Sequence, residues 1–357
     1  MLMTQTEYQT IKDFYKNKKV LITGHTGFKG SWLTFWLHSL GAEIYGYSLP
    51  YDEKLNVLYN VANIHTKCKK ECFSDIREYR DIKKFFNEVE PEIVFHLAAQ
   101  PIVSEGYKNP RDTFEINLMG TVNVLECIRK CPSVKSIVII TTDKVYDENY
   151  FDNTTGYKEF DPLNGRDPYS NSKSCADIAT QCYTNCFLEN PVTIFRAGNV
   201  IGGGDFAPNR IVPDCMRAWY NGEIPQLRNP FSIRPYQHVL EPIYAYIYFG
   251  MIQTYDRISD IINIGPNPKD CLTTEDLVIK MADALGEEKT YITGPRPVML
   301  ESNALKLDCS HLESLGWMPR LTIDETIQMT VSWYQQYYTG GSIESLMENQ
   351  IKFYIGE

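Results

Sequence analysis

A chain of 357 residues, 43% hydrophobic and 22% charged, can bury a large core and has the composition of a soluble globular protein. Its net charge of -10 argues against a general binder of nucleic acid or of membrane surfaces. The longest apolar run, Ile243 to Ile252, carries three tyrosines and falls short of bilayer length.

Residues 1–17 are polar and mixed in charge, without a signal-peptide core, so a cytoplasmic location is expected. The ten cysteines fit that compartment. Cys68/Cys72, Cys127/Cys131 and Cys182/Cys186 each sit four apart, a helical spacing rather than C-x-x-C, and read as reduced residues with no metal site.

Lys19-Val20-Leu21-Ile22-Thr23 reads as a short buried strand, and an apolar helical stretch from Trp32 to Leu40 closes at Gly41. Between them Gly24, Gly27 and Gly30 are spaced G-x-x-G-x-x-G. Such glycines let the backbone turn tightly and approach a pyrophosphate at a helix N-terminus. The pattern alone is weak, but strand, glycines and helix in this order favour a dinucleotide over an ordinary strand-to-helix turn.

The second strand, Glu43 to Ser48, ends in Ser48 where an acid would hold the adenosine ribose, with Asp52 as a substitute candidate. These residues leave NAD and NADP open. Asp75-Ile76, after a strand from Glu71 to Ser74, could hold the adenine edge or simply end the strand. Helix Tyr79 to Val89 sets Ile82, Phe85, Phe86 and Val89 on one face and stops at Pro91. Strand Ile93 to Leu97 then runs into Ala98-Ala99-Gln100-Pro101, whose small residues admit a cofactor close to the backbone. A helix through Asn117, Leu118, Val122, Leu125 and Ile128 leads to a strand from Ile137 to Thr141.

This alternation predicts an α/β fold with a Rossmann-type doubly wound parallel sheet, whose ligands sit at the carboxyl ends of the strands. Thr142, Asp143 and Lys144 fall at such an end. The loop from Tyr146 to Pro168, rich in Asn, Asp, Gly and Tyr, could shape a substrate site. Asp167-Pro168-Tyr169-Ser170-Asn171-Ser172-Lys173 follows. Tyr169 and Lys173, spaced i, i+4, would project from one helical face. A phenol beside a fixed ammonium ionises more easily, which makes Tyr169 a candidate general base. Alone, such a pair would read as a helix start with a solvated lysine; the dinucleotide pattern upstream outweighs that.

After residue 195 the alternation lapses, apart from a late strand at Asp260 to Ile264. Residues 1–195, with returns near 230–265, are expected to form the dinucleotide-binding domain. Residues 196–357 would mainly form a smaller C-terminal substrate-binding domain, with the ligand cleft between the two. The helix from Ile323 to Tyr338 reads as packing, and no pattern is legible after Gly340.

Taken together, Gly24-x-x-Gly27-x-x-Gly30, Tyr169-x-x-x-Lys173 and the strand-end Thr142 resemble the extended short-chain dehydrogenase/reductase family. Within it, the run from His25 to Trp32, Arg196 to Asp205 and Arg234 to Pro242 are similar to the 4,6-dehydratases that act on CDP-glucose. The likeness extends to Leu307-Asp308-Cys309-Ser310 and Leu315-Gly316-Trp317. The resemblance implies NAD as cofactor, held by Gly24, Thr26, Gly27, Phe28, Lys29, Gly30, Asp75, Ile76, Leu97, Ala98, Ala99, Tyr169 and Lys173. It implies a nucleotide-sugar held by Gln100, Asn199, Arg228, Arg234 and His238, with Asn199 and Arg234 at the diphosphate. Arg suits phosphate through its paired donors, and Arg234, set between apolar residues, is a stronger candidate than Arg228.

By the same resemblance, Thr142 would bond the sugar O4, Tyr169 would take its proton and Lys173 would hold the nicotinamide ribose. Asp143 and Lys144 would serve as acid and base while water is lost, giving a 4-keto-6-deoxy sugar without net oxidation. A 4-epimerase would share Tyr169 and Lys173 but would not need Asp143 and Lys144. The chain departs from the pattern at the loop Tyr150 to Tyr157, which lacks tryptophan, at Tyr236 and at Arg166. These departures bear on which hexose and nucleotide are taken. A homodimer joined through the helices after Asn109 and after Tyr169 is also implied, with no nucleic-acid or membrane partner.

Overall fold

The computed structural model describes residues 5–151, 155–288, 291–294 and 305–357. Seven strands form one parallel sheet in the spatial order β7-β6-β5-β4-β1-β2-β3. They are β1 (Lys19–Thr23), β2 (Glu43–Ser48), β3 (Cys68–Phe73), β4 (Ile93–His96), β5 (Ser136–Thr142), β6 (Val192–Ala197) and β7 (Asp260–Ile264). The order reverses between β1 and β4, the point at which ligands bind outside the carboxyl ends of the strands in open sheets of this kind. This is the doubly wound Rossmann-type sheet expected from the alternation of strands and helices.

Successive strand residues point to opposite faces, and both faces are covered. Val20, Ile22, Phe95, Val138, Ile140 and Phe195 join one core. That core is closed by α1 (Gln5–Tyr15), α2 (Phe28–Ser39) and α7 (Leu240–Asp256). Leu21, Val94, Ile137, Ile139 and Ile194 join the other. It is closed by α3 (Tyr79–Val89), through Ile82, Phe85 and Phe86, and by α4 (Gly120–Arg129), through Val124 and Leu125. The remaining long helices are α5 (Pro168–Cys186), α6 (Ile211–Tyr220), α8 (Thr274–Leu285), α9 (Ile323–Tyr338) and α10 (Ile343–Ile355). Trp333 of α9 and Met347 and Tyr354 of α10 belong to the first core, so the later part of the chain packs directly onto the sheet's helices.

Several boundaries differ from the sequence reading. Residues 5–15, read as a polar tail, form α1, because Ile11 and Tyr15 are buried and the Tyr15 hydroxyl donates to the Ile247 carbonyl at 2.7 Å. α2 begins at Phe28 rather than Trp32, since Gly27 already serves as its N-cap. β3 begins at Cys68 rather than Glu71, so Cys68 joins Cys72 on the strand. Residues after Gly340 fold as α10, with the Tyr354 hydroxyl donating to the buried Glu241 at 2.8 Å. The apolar run Ile243 to Ile252 lies inside α7, where Ile243, Tyr244, Tyr246 and Ile247 are buried in protein.

Gly203 shows how tightly the late segments close on the sheet. Its carbonyl accepts the Trp32 indole N–H at 2.9 Å, and a Cβ built there would lie 1.8 Å from the Trp333 ring. At Gly265 the nearest atom would be 3.6 Å away. Gly203→Ala should therefore cost about 1–3 kcal/mol or more through overpacking, whereas Gly265→Ala should be close to neutral. Urea unfolding of the two variants beside the parent checks this.

Candidate active site

The glycine-rich loop is built by backbone proximity. Gly24 has φ +78, and a Cβ there would lie 2.8 Å from the Ala98 nitrogen, so β1 and β4 can part only around a residue without a side chain. A Cβ at Gly30 would lie 2.1 Å from the Gly24 carbonyl oxygen. The Gly27 N–H donates to that same carbonyl at 3.1 Å. No side chain caps the first turn of α2, and backbone N–H groups left uncapped at a helix N-terminus suit an anion. The loop and helix end therefore fit the pyrophosphate of a dinucleotide.

Around that end the predicted cofactor residues divide. The Thr26 and Ser48 hydroxyls share a hydrogen bond at 2.7 Å, and Asn56, which the sequence reading passed over, donates to the Thr26 carbonyl at 2.9 Å. Asp52 does not replace an acid at Ser48; it caps its own turn through the N–H groups of Lys54 and Leu55. Both Asp75 oxygens are engaged by Arg77, and Ile76 packs against Gly120. Leu97, Ala98 and Ala99 are half-buried, with the Leu97 N–H donating to the Thr23 carbonyl and the Ala98 N–H to the Thr23 hydroxyl.

Thr142, Asp143 and Lys144 lie at the carboxyl end of β5. The Thr142 hydroxyl donates to Asp143 Oδ1 at 2.8 Å and accepts the Lys144 N–H at 3.4 Å. Asp143 is buried, and its Oδ2 has no hydrogen-bond partner among the described residues. A buried carboxyl oxygen without a partner is costly unless something else meets it. Asp167 caps α5 by accepting the N–H groups of Tyr169 and Ser170, and Pro168 fills the first helical position, where its missing donor costs nothing. This cap brings Tyr169 to the Thr142 hydroxyl.

Tyr169 and Lys173 are both buried on α5, as their i, i+4 spacing implies. The Lys173 ammonium donates to the Ile140 carbonyl at 2.9 Å, and burial brings its pKa down to about 8. Burial pushes the Tyr169 phenol up to about 12, while Arg210 and the hydrogen bond with Thr142 pull against that rise. Of the charges that favour ionising the phenol, Arg210 pulls hardest. Arg210 precedes α6 and donates to Asp205 at 3.0 Å. Lys29 joins the same cluster: burial, then the Arg210 and Lys173 charges, lower it to about 7, against the opposing pull of Asp143 and Asp205.

The expected substrate residues are less uniform. Arg234 is buried beside the antiparallel pairing of Ile233–Arg234 with Leu272–Thr273, and Asn199 is half-buried, its carbonyl accepting the Gln237 N–H. Arg228 is exposed near Asp214. The Gln100 side chain is taken up by the Thr113 hydroxyl and the Ile102 N–H. His238 is fully buried, edge-on to Trp32, with Nδ1 accepting the Leu240 N–H. Its position is that of a packing residue, so a direct substrate contact by His238 is not supported. Residues 152–154 of the loop from Tyr146 to Pro168 lie outside the described residues.

Residues 21–330 match the family described as GDP-mannose 4,6 dehydratase. The chain belongs to this family. Within the range matched to the GDP-mannose 4,6 dehydratase family lie the glycine-rich loop, the Thr142–Lys144 strand end, Tyr169, Lys173 and Arg210. A CDP-glucose 4,6-dehydratase of Salmonella typhimurium is 38% identical over 356 residues, covering 96% of this chain and 98% of that protein. The solved dTDP-glucose 4,6-dehydratase of Bacillus anthracis in complex with NAD is similar at a TM-score of 0.75 and 22% identity, covering 92% of this chain and 99% of that one. The Thermus thermophilus UDP-glucose 4-epimerase complex with NAD reaches a TM-score of 0.73 at 25% identity, covering 88% and 98%.

The Arg210 and Lys173 charges both act on Lys29, and a cluster of three cations suits an anion. A bound diphosphate would raise the Lys29 pKa from about 7 toward its ordinary 10.5, so the bound state holds more protons and affinity falls as pH rises across that window. Titration calorimetry of NAD or CDP at pH 8, in two buffers of different ionisation heat, should report proton uptake. Lys29→Met should lose most of it.

Proposed function

We propose that this chain is an NAD-dependent 4,6-dehydratase that converts CDP-glucose to CDP-4-keto-6-deoxyglucose, a hydro-lyase. The observation that carries the reading is the Thr142–Asp143 pair at the end of β5, with a buried, unpartnered Asp143 oxygen beside Tyr169. An epimerase has no use for an acid there. The choice of CDP-glucose rests on the 38% identity with the Salmonella typhimurium enzyme over nearly the full length of both chains.

Residues 1–195, with returns near 230–265, would hold the cofactor, and 196–357 mainly the sugar nucleotide. The Gly24–Gly30 loop and the start of α2 would take the NAD pyrophosphate, Thr26 and Ser48 would serve the adenosine ribose, and Lys173 would hold the nicotinamide ribose. Asp75, Ile76, Leu97, Ala98 and Ala99 line the rest of the cofactor's path. NAD, when bound, supplies the hydride acceptor at C4 of the sugar and the hydride donor at C6. Asn199, Arg234 and Arg210 meet the substrate diphosphate, with Arg228 at the rim.

Thr142 bonds the sugar O4 and Tyr169 removes its proton as C4 becomes a carbonyl. That carbonyl acidifies the neighbouring C5–H, so oxidation has to precede the loss of water. Lys144 takes the C5 proton, Asp143 gives its proton to O6 and water departs; Lys144 would then return its proton to C5 as C6 is reduced. A phenol held near 12 makes a poor base at neutral pH; Arg210 and the Thr142 hydroxyl lower the cost of ionising it, and positive charge at a bound nicotinamide lowers it further.

The reading includes a homodimer through residues 110–129 and α5, supported by the exposure of Met119, Ile178 and Phe187 on those segments. A cytoplasmic location is supported by ten free cysteines, which suit a reducing compartment.

Incubation with CDP-, UDP-, GDP- and dTDP-sugars and NAD, read by product mass, tests the assignment. CDP-glucose should lose one water while NAD is not consumed; a product of unchanged mass would mean epimerisation. Tyr169→Phe should lower turnover by ~10²–10⁴. In deuterium oxide, Asp143→Asn should still exchange the C5 hydrogen of recovered CDP-glucose yet release little product. Lys144→Ala should lose that exchange. If both keep parental product formation, the roles assigned to the pair fail.

A further inference from the structure

We propose that His25, Cys68 and Glu71 form a binding site for a thiophilic divalent cation, for which zinc is the best match. His25 stands inside the glycine-rich loop, while Cys68 opens β3 and Glu71 follows three residues later. One donor atom from each lies within 4.8 Å of the others. His25 Nε2 is 2.8 Å from Glu71 Oε1, and the Tyr59 hydroxyl donates to the same oxygen at 2.7 Å. Zinc binds nitrogen and oxygen at about 2.0 Å and sulfur at about 2.3 Å, so its tetrahedral edges are about 3.3–3.5 Å. With donor atoms within 4.8 Å of one another, seating zinc asks the widest separation to close by roughly an ångström and the 2.8 Å His25–Glu71 pair to open by roughly half an ångström.

The site is built and not incidental. The imidazole is fully buried, and a Cβ at Gly46 would lie 2.5 Å from it, so β2 admits the ring only because glycine stands there. His25 Nδ1 has no hydrogen-bond partner among the described residues, which lets it carry the ring proton when Nε2 turns to a metal. One thiolate, one imidazole and one carboxylate suit zinc or another borderline-soft ion and disfavour magnesium or calcium. As the sulfur–metal bond forms, the thiol proton leaves to solvent; Tyr59 or water completes the shell. The bound ion would tie the glycine-rich loop to the outer strand of the sheet. The proposal stands independently of the dehydratase reading.

The test uses the full chain, stripped with chelator, in a Cys182→Ser/Cys186→Ser background that removes the two exposed thiols. Cobalt(II) is the spectroscopic probe. A thiolate-to-cobalt charge-transfer band with intense tetrahedral d–d bands should saturate at one cobalt per chain, be displaced by zinc, and accompany a rise in Tm. Cys68→Ser should abolish the band, and Cys72→Ser should keep it. Absence of the band in the folded parent, or its survival in Cys68→Ser, overturns the proposal. Should Cys68→Ser not fold, Glu71→Gln decides: cobalt affinity should fall by at least about tenfold, the scale seen for loss of even an outer partner, and unchanged affinity overturns the site.

Discussion

A buried ion pair holds α5 to the sheet. Arg196 of β6 meets Asp177 of α5 through two hydrogen bonds of 2.8 Å, and neither side chain is open to solvent. The Thr141 hydroxyl, one residue before the strand end, adds a third bond to Asp177 at 3.1 Å. Arg196 continues to the Tyr146 hydroxyl at 3.0 Å and the Glu159 carbonyl at 2.7 Å, and Tyr146 reaches Asn263 of β7. An unpaired charge in such a place would be strongly destabilising, so each partner demands the other. The consequence is geometric. α5, β5, β6, β7 and the loop after β5 share one registry, and Tyr169 and Thr142 inherit their spacing from it.

A second brace works from the opposite side of the helix. Asn117, in the wide helical turn Glu115–Met119 that precedes α4, accepts the Gln100 N–H and donates to the Ser172 hydroxyl. The strand-end segment after β4, the helix start at Pro168 and the turn before α4 thus meet at one amide. Wide turns of this kind recur where a helix must present a side chain out of its regular phase. Here the turn directs Asn117 inward, and it leaves Gln100 as part of the scaffold.

Burial governs the electrostatics of the crevice. It holds the Tyr169 phenol neutral and weakens the hold of Lys29 and Lys173 on their protons. Negative charge nearby would relieve the two lysines, whereas the phenol is helped only by positive charge. His96, behind the site, is kept neutral by burial and by the Lys173 charge, with a pKa near 3, and bridges the Thr23 and Thr121 hydroxyls. It is a structural linker between β4, β1 and α4.

What the sequence determined by itself was local. Strand β1, the G-x-x-G-x-x-G turn and the amphipathic face of α3 were legible because each follows from short-range periodicity or from backbone sterics at glycine. The Asp167–Pro168 helix start was legible for the same reason, since a cap and a fixed φ act within one turn. Tertiary structure decided whatever depends on neighbours distant in sequence. α1 and α10 gain their stability from packing on α7, which no pattern within 5–15 or 343–355 announces. Cys68 became a strand residue because β2 pairs with it. Arg210, forty-one positions away, is the charge that pulls hardest on the Tyr169 phenol, while Lys173 at the helical spacing donates to a backbone carbonyl. Spacing along a helix sets which side chains share a face, but burial and the groups contributed by other elements set which of them interact.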